Sequence, residues 1–252
     1  MSSGSYLASA VKRVSIDKGN GESRPLGILT VSDCIAQQVV KTYLEPRLEA
    51  VFSSSSYGYR PKKSSHQAIS QVRNYVRKYP WVIDLDIKGF FENVAHELLM
   101  KALDKHVSEK WVKMYIKRWL EAPVQLVNGD YLFPDGKGIP QGGVIISPLL
   151  SNLFLHYSID KWMEINYPSV DMVSYADDIV IHCQTHQEAK CLLNSLKERL
   201  TTCRLEVHPS KTKIVYCEKD GRSLEHKPVQ FDFLGFSSQP LRFHLKKAGS
   251  FL

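Results

Sequence analysis

No stretch of this 252-residue chain approaches the roughly 18 consecutive apolar residues of a membrane span. The N-terminus lacks the basic-then-apolar pattern of a secretion signal. Cysteine is sparse and unpatterned. Cys34, Cys183, Cys191, Cys203 and Cys217 make an odd count, and no two are spaced Cys-x-x-Cys. This argues against a disulfide framework and a zinc site, and for reduced thiols in a cytoplasmic protein with no membrane partner. Internal repeats, low-complexity tails and clear linkers are also missing. Strand-like and helix-like segments follow no regular βαβ rhythm, so the expected class is α+β rather than a parallel α/β fold.

What is present is an ordinary globular composition, 43% hydrophobic and 23% charged, with a net charge of +7. A basic chain favours a polyanionic partner. Arg60, Lys62 and Lys63 cluster beside Tyr57 and Tyr59, a mixture suited to backbone phosphates and stacked bases. A second basic set, Lys110, Lys113, Lys117 and Arg118, falls among Trp111, Tyr115 and Trp119. Its helical spacing reads better as a solvated basic face over core aromatics.

Two short strands are expected around Gly19-Asn-Gly21, over residues 11–16 and 25–31. Ser32 can cap a helix carrying Ile35, Val39, Val40, Tyr43 and Leu44 on one side. A second helix follows Ser64 or Ser65. Residues 81–87 alternate with period two, which puts Asp84 and Asp86 on one face of a strand. Helices are expected over about 95–105 and 108–120, then a hairpin turning at Asn128-Gly129. Ser147-Pro148 starts a long apolar helix to about Ile165. A further helix runs from about Gln187 to Cys203, and short strands lie near 213–216 and 231–236.

Asp177-Asp178 sits between apolar runs, preceded by Tyr175-Ala176. Adjacent carboxylates repel when partly desolvated, and a divalent cation relieves that cost. A lone Asp-Asp is usually a polar turn. Two-metal nucleotidyl transfer, however, needs carboxylates converging from separate elements. Asp86 on a strand and Asp177 on a hairpin can supply them if the strands are neighbours. His182-x-x-x-His186 has the spacing of a metal pair but leaves a strand rather than lying on a helix, and lacks the accompanying glutamate.

Eight segments, in order, carry a family resemblance: Arg24-Pro-Leu-Gly-Ile, Ser56-Tyr-Gly-Tyr-Arg-Pro61, Asp84-Leu-Asp-Ile-Lys-Gly-Phe-Phe-Glu-Asn93, Gly138-Ile-Pro-Gln-Gly-Gly143, Ser147-Pro-Leu-Leu-Ser-Asn152, Tyr175-Ala-Asp-Asp178, His208-Pro-Ser-Lys-Thr212 and Phe233-Leu-Gly-Phe236. Together they make the chain resemble the reverse transcriptases encoded by bacterial group II introns. The resemblance implies a right-hand polymerase fold with a central antiparallel sheet packed on helices. Fingers are implied over residues 1–80 with part of 104–137, and palm over 81–245. It also implies RNA-directed DNA synthesis from a DNA primer, with deoxynucleotides and Mg2+, or Mn2+ in its place. Group II intron RNA is an implied partner. Asp86, Asp177 and Asp178 resemble the metal-binding carboxylates. Phe91 matches the aromatic under the nucleotide sugar, and Gln141 and Gly142 match the loop against nucleotide and template. Lys18 and Arg24 match residues holding the triphosphate, and Lys211 the lysine near pyrophosphate. Arg60 has two readings, a template contact or a brace for its own loop.

The chain departs from the family's pattern in three ways. Ile146 is an extra residue between Gly143 and Ser147-Pro148, expected to bulge the loop before the helix. Asp17 and Leu29 stand where the family usually has proline. The family's N-terminal segment, thumb and maturase domain are expected to be missing, as in a truncated or degenerate copy. Two alternatives stay open, a non-polymerising RNA-binding remnant that assists splicing and a domesticated enzyme of phage defence.

Overall fold

The computed structural model describes residues 4–17, 23–142, 144–217, 230–239 and 242–245. The chain forms two compact units, Met1–Phe52 with Gly89–Tyr157, and Ser53–Lys88 with Ser158–Leu252. Residues 53–80 thus belong with the second unit, and the chain is not cut at residue 80.

In the first unit, β1 (Val11–Asp17) and β2 (Ser23–Ile28) form the expected antiparallel pair. β1 also pairs in parallel with β4 (Val124–Gln125), which turns back into β5 (Tyr131–Leu132). β2 ends at Ile28, earlier than expected, because α1 (Val31–Glu49) is capped by Thr30 rather than Ser32. The Thr30 hydroxyl accepts the Asp33 N–H at 3.2 Å, the usual reach from N-cap to N3. The helix face also differs. Ala36, Gln37, Val40, Leu44 and Leu48 are buried, whereas Ile35 is 62% and Val39 50% exposed.

α3 (Phe90–Asn93), α4 (His96–Asp104) and α5 (Lys110–Leu120) follow in this unit. α5 buries Tyr115 and Trp119; Lys110 and Lys117 are exposed, Lys113 pairs with Asp104 at 2.7 Å, and half-buried Arg118 donates to the carbonyls of Gly4 and Tyr6. α6 (Ser147–Leu155) runs into a π-turn at His156–Asp160 and then α7 (Lys161–Asn166), which together replace the single long helix expected.

The second unit is built on a four-stranded antiparallel sheet. Its order is β6 (Asp171–Tyr175), β7 (Asp178–Cys183), β3 (Trp81–Leu85) and β8 (Lys213–Tyr216). α2 (Ser65–Lys78) packs on β6, and α8 (His186–Thr202) packs on β3. Both helices begin with a reciprocal capping box, Ser64 with Gln67 and Thr185 with Glu188. Ala68, Ile69 and Val72 of α2 bury against Val82, Val173, Val180 and Val215 of the sheet. Phe231 and Phe233 of β9 (Phe231–Phe233) join this core. β9 pairs with β10 (Phe236–Gln239), which pairs with β11 (Arg242–Leu245). All five cysteines are free. Among the described residues no helix is long and apolar enough to cross a membrane.

Candidate active site

The sheet of the second unit sets out the carboxylates. β3 and β7 pair in register up to Leu85 with Ile179. One residue further come Asp86 on one strand and Asp178 on the other, so both stand at the same end of the sheet. Asp177 precedes Asp178 in a two-residue turn between the paired Tyr175 and Asp178. Such hairpins need a residue at positive φ, and Ala176 takes it at +54°.

Two loops brace this end. Asp86 donates its N–H to the Thr212 hydroxyl at 3.1 Å, and its carbonyl accepts the His208 N–H at 2.8 Å. This fixes the backbone of Asp86 from the His208–Thr212 loop, in which exposed Lys211 adjoins Thr212. The 53–60 loop lies against the hairpin: Tyr57 N–H donates to Ser174 O at 2.8 Å, and Ser174 N–H to Ser55 O at 3.0 Å. A Cβ at Gly58 would stand 2.3 Å from the Ala176 nitrogen, so only glycine fits there. Gly58, Thr212 and His208 are supports that residue type alone did not mark. Their signal was membership of short motifs beside the aspartates.

Asp84, on β3 two residues before Asp86, has its carboxyl pushed up to about 7. Burial is the main cause; the charges of Asp178, Asp86 and Asp232 add to it, and Lys213 opposes it. The negative charge crowded at this sheet end is the kind a hard cation relieves. Among the described residues, no three His, Cys, Asp or Glu side chains are gathered closely enough to hold a metal ion. The donors therefore suit a divalent cation in chemistry and strand register without being closed around one.

Arg60 is the plainest correction. Its side chain is 9% exposed, and its guanidinium donates to the carbonyls of Ser53 and Ser56. It braces its own loop, as the second reading held, and does not stand out to meet a phosphate. Lys63 donates to the Ser54 carbonyl and lies 4.5 Å over the Tyr57 ring. Lys62 is exposed. Lys18 lies outside the described residues, as does the side chain of Arg24, which stands on β2 opposite Ile16.

Phe91, Gln141 and Gly142 belong to the first unit. The Gly136–Ile139 segment is laid on α3 and the residues after it. Ile139 N–H donates to Phe91 O at 2.7 Å, Gly138 N–H to Val94 O at 2.9 Å, and His96 N–H to Gly136 O at 2.9 Å. Gln141 O accepts the Gly27 N–H at 2.6 Å, and Gly142 bridges Gly27. A Cβ on Gly142 would lie 2.9 Å from the Leu26 Cβ, and one on Gly27 would lie 2.7 Å from a Val11 methyl. Phe91 and Gln141 line one pocket of about 500 Å³ with Val11, Leu26, Leu120 and Ile139. Arg13 and Lys137 also border it. α6 starts at Ser147, as expected, with Ile146 at the N-cap and no side-chain cap hydrogen bond. The extra residue therefore falls before the helix.

The chain is similar in sequence to curated proteins. "Protein YkfC" of Escherichia coli is 36% identical over 172 residues, covering 66% of this chain and 44% of that protein. The "Group II intron-encoded protein LtrA" of Lactococcus lactis is 33% identical over 196 residues, 77% of this chain and 32% of that one. The chain thus spans less than half the length of these relatives. In fold it is similar to telomerase from Candida tropicalis, solved in complex with a fragment of telomeric RNA. There the TM-score is 0.71 at 16% identity, over 98% of this chain and 46% of that one. The sequence model for reverse transcriptase (RNA-dependent DNA polymerase) matches residues 16–238, a span holding both strand-end aspartates and the glycine-dependent loops. With strand register, loop contacts and sequence in agreement over nearly its whole length, the chain belongs to the reverse transcriptase family.

Proposed function

We propose that the chain is the polymerising core of a group II intron-type reverse transcriptase, adding deoxynucleotides to a DNA primer on an RNA template. The observation that carries this is the β3–β7 register, which brings Asp86 and Asp178 to one sheet end with Asp177 in the adjoining turn. In this reading the sheet unit is palm and the β1–β2 unit supplies fingers.

Asp86, Asp177 and Asp178 would hold Mg2+, or Mn2+, which when bound lowers the pKa of the primer hydroxyl and neutralises charge on the leaving pyrophosphate. The protein's own part is positional. The Thr212 and His208 contacts hold the Asp86 backbone, and the Gly58 approach holds the turn that presents Asp177. Phe91 would meet the nucleotide sugar, with Gln141 and Gly142 against the nucleotide. Lys18, Arg24 and Lys211 would meet its phosphates, the forked guanidinium and point-charge ammonium each suiting that task. Lys62 would contact the RNA backbone. Group II intron RNA is the proposed natural partner, and the cytoplasm the proposed location.

Primer extension on poly(rA)/oligo(dT) with Mg2+ tests this. The wild-type chain should extend the primer with thymidylate and Asp177→Ala should not. Incorporation that survives Asp177→Ala would sink the assignment. RNA binding without incorporation by either would favour the non-polymerising alternative.

A further inference from the structure

α1 buries two polar residues on its apolar stripe, Asp33 in the first turn beside its Thr30 cap and Gln37 further in, each 1% exposed. A carboxamide in a core is costly unless its polar atoms are paired. The Gln37 Oε1 accepts two backbone N–H groups, from Ile145 at 3.1 Å and Ile146 at 3.2 Å. Amide nitrogen cannot accept these donors, so the oxygen must face them. Both groups lie at the entrance to α6, where N–H donors have no partner inside the helix. No local residue does this work. Ile146 occupies the N-cap position, and the neighbouring Ser147 Oγ is buried with no hydrogen-bond partner among the described residues.

The other end of the same loop is tethered as well, by the Gly27 N–H on Gln141 O and the Gly27–Gly142 bridge. Gln141 thus sits on a short span with a fixed point at each end. β2 provides the first and Gln37 the second. Ile146 follows Gln141 by only five residues, so releasing one end should change where Gln141 stands.

We propose that Gln37 is a positioning residue for nucleotide use, acting through the loop that carries Gln141. The inference rests on the reading of Gln141 as a nucleotide contact, and two measurements separate the two ideas. Amide hydrogen exchange at Ile145 and Ile146 reads the tether alone. Single-nucleotide incorporation, with KM for deoxynucleotide and affinity for primer–template measured separately, reads its consequence.

Gln37→Met keeps length and loses the acceptor. Exchange at both amides should quicken at least tenfold, and kcat/KM for deoxynucleotide should fall about 10- to 100-fold, as misplacement by an ångström does. Primer–template affinity should hold. Gln37→Glu keeps the acceptor, with a charge the start of a helix favours, and should restore both readouts to within a few-fold. Val40→Ala, on the same buried stripe, should lower stability without moving KM. Should Gln37→Met fail to fold, Gln37→Asn, whose carboxamide falls one methylene short, carries the same forecast. Protected amides in Gln37→Met or Gln37→Asn overturn the tether, and equal KM changes in Val40→Ala overturn the positioning role. A wild-type chain that incorporates nothing refutes the polymerase reading, and exchange still decides whether Gln37 holds the loop.

Discussion

Asp86 and Asp178 stand at the ends of paired strands, while Phe91 rides on the four-residue α3 and Gln141 on a loop held to β2 by a single hydrogen bond and the adjoining bridge. In the second unit, position follows from register: once Trp81 pairs with Cys183, every residue to Leu85 has its partner. In the first, position follows from single contacts made far along the chain, such as Gln37 with Ile145 and Ile146. A ladder shares its load over many hydrogen bonds, so one substitution rarely shifts it. A tethered loop has few, and each matters more. In the proposed reading, the second unit is the place for charges that must not move, and the first for groups that adapt to a substrate.

The widest test of that contrast compares chemistry with placement. If Asp177 holds the metal as proposed, Asp177→Ala should lower nucleotide incorporation by about 1000-fold, the loss of several kcal/mol of transition-state stabilisation. Gln141→Ala should cost roughly 10- to 100-fold. Thermal unfolding of both variants should stay near wild type. Equal losses in the two would erase the distinction between the units.

Two glycines sharpen it next. At Gly58 an added methyl would overlap the Ala176 nitrogen and the Tyr175 carbonyl carbon, backbone atoms that cannot swing aside. Gly58→Ala should destabilise by about 3 kcal/mol, the upper part of the overpacking range, and disturb the hairpin turn. Gly129, in the β4–β5 turn at φ +91°, has nothing within 4 Å of an added Cβ. Gly129→Ala meets only backbone strain, about 1 kcal/mol. Denaturant unfolding compares them. A Gly58→Ala chain as stable as Gly129→Ala would show that the 53–60 loop does not clamp the hairpin.

What was legible in the sequence divides along the same line. Period-two alternation over 81–87 located β3 and put Asp84 and Asp86 on one face, since side-chain direction in a strand is a local property. α4 and α5 were legible for the same reason. The face of α1 was not. Ile35 and Val39 look like core by hydropathy, yet the buried stripe contains Gln37, whose partner is more than 100 residues away. Arg60 looked like a phosphate ligand because composition reveals charge and not burial. The π-turn after α6 gave no signal, since one hydrogen-bond shift changes no residue type. The motifs marked the aspartates and strand register puts Asp86 and Asp178 at one sheet end, but the His208 and Thr212 contacts that hold Asp86 needed coordinates.

A buried histidine gives a smaller, pH-dependent test of the sheet unit. His182 on β7 is 1% exposed, and neither ring nitrogen has a hydrogen-bond partner among the described residues. Tyr75 and Tyr79 pack against it, and Asp171 lies opposite on β6. Burial drives its pKa down to about 3, with the Asp171 charge opposing. Between pH 6.5 and about 3 the unfolded chain holds a proton that the folded chain refuses. Stability should therefore fall as pH drops through that window, by about 1.4 kcal/mol per unit from this group. His182→Phe should remove that part of the slope and leave the unfolding midpoint above pH 7 nearly unchanged. An unaltered slope would mean the ring is protonated in the fold.

The smallest effect separates a contact from a brace within one loop. Lys62 is exposed, whereas Arg60 is buried on the carbonyls of Ser53 and Ser56. If Lys62 meets RNA phosphate, Lys62→Gln should weaken binding a few-fold and reduce the salt slope by about 0.7 to 0.9, the counterion release of one contact. Stability should not change. Arg60→Met should do the reverse. It strands two carbonyls, costing roughly 1–3 kcal/mol, while the salt slope of whatever folds stays as in wild type. Fluorescence anisotropy with labelled RNA from 50 to 200 mM salt, beside urea unfolding of the same samples, reads both. Swapped results, with Arg60 carrying the slope and Lys62 the stability, would mean that the loop opens on RNA and exposes the guanidinium.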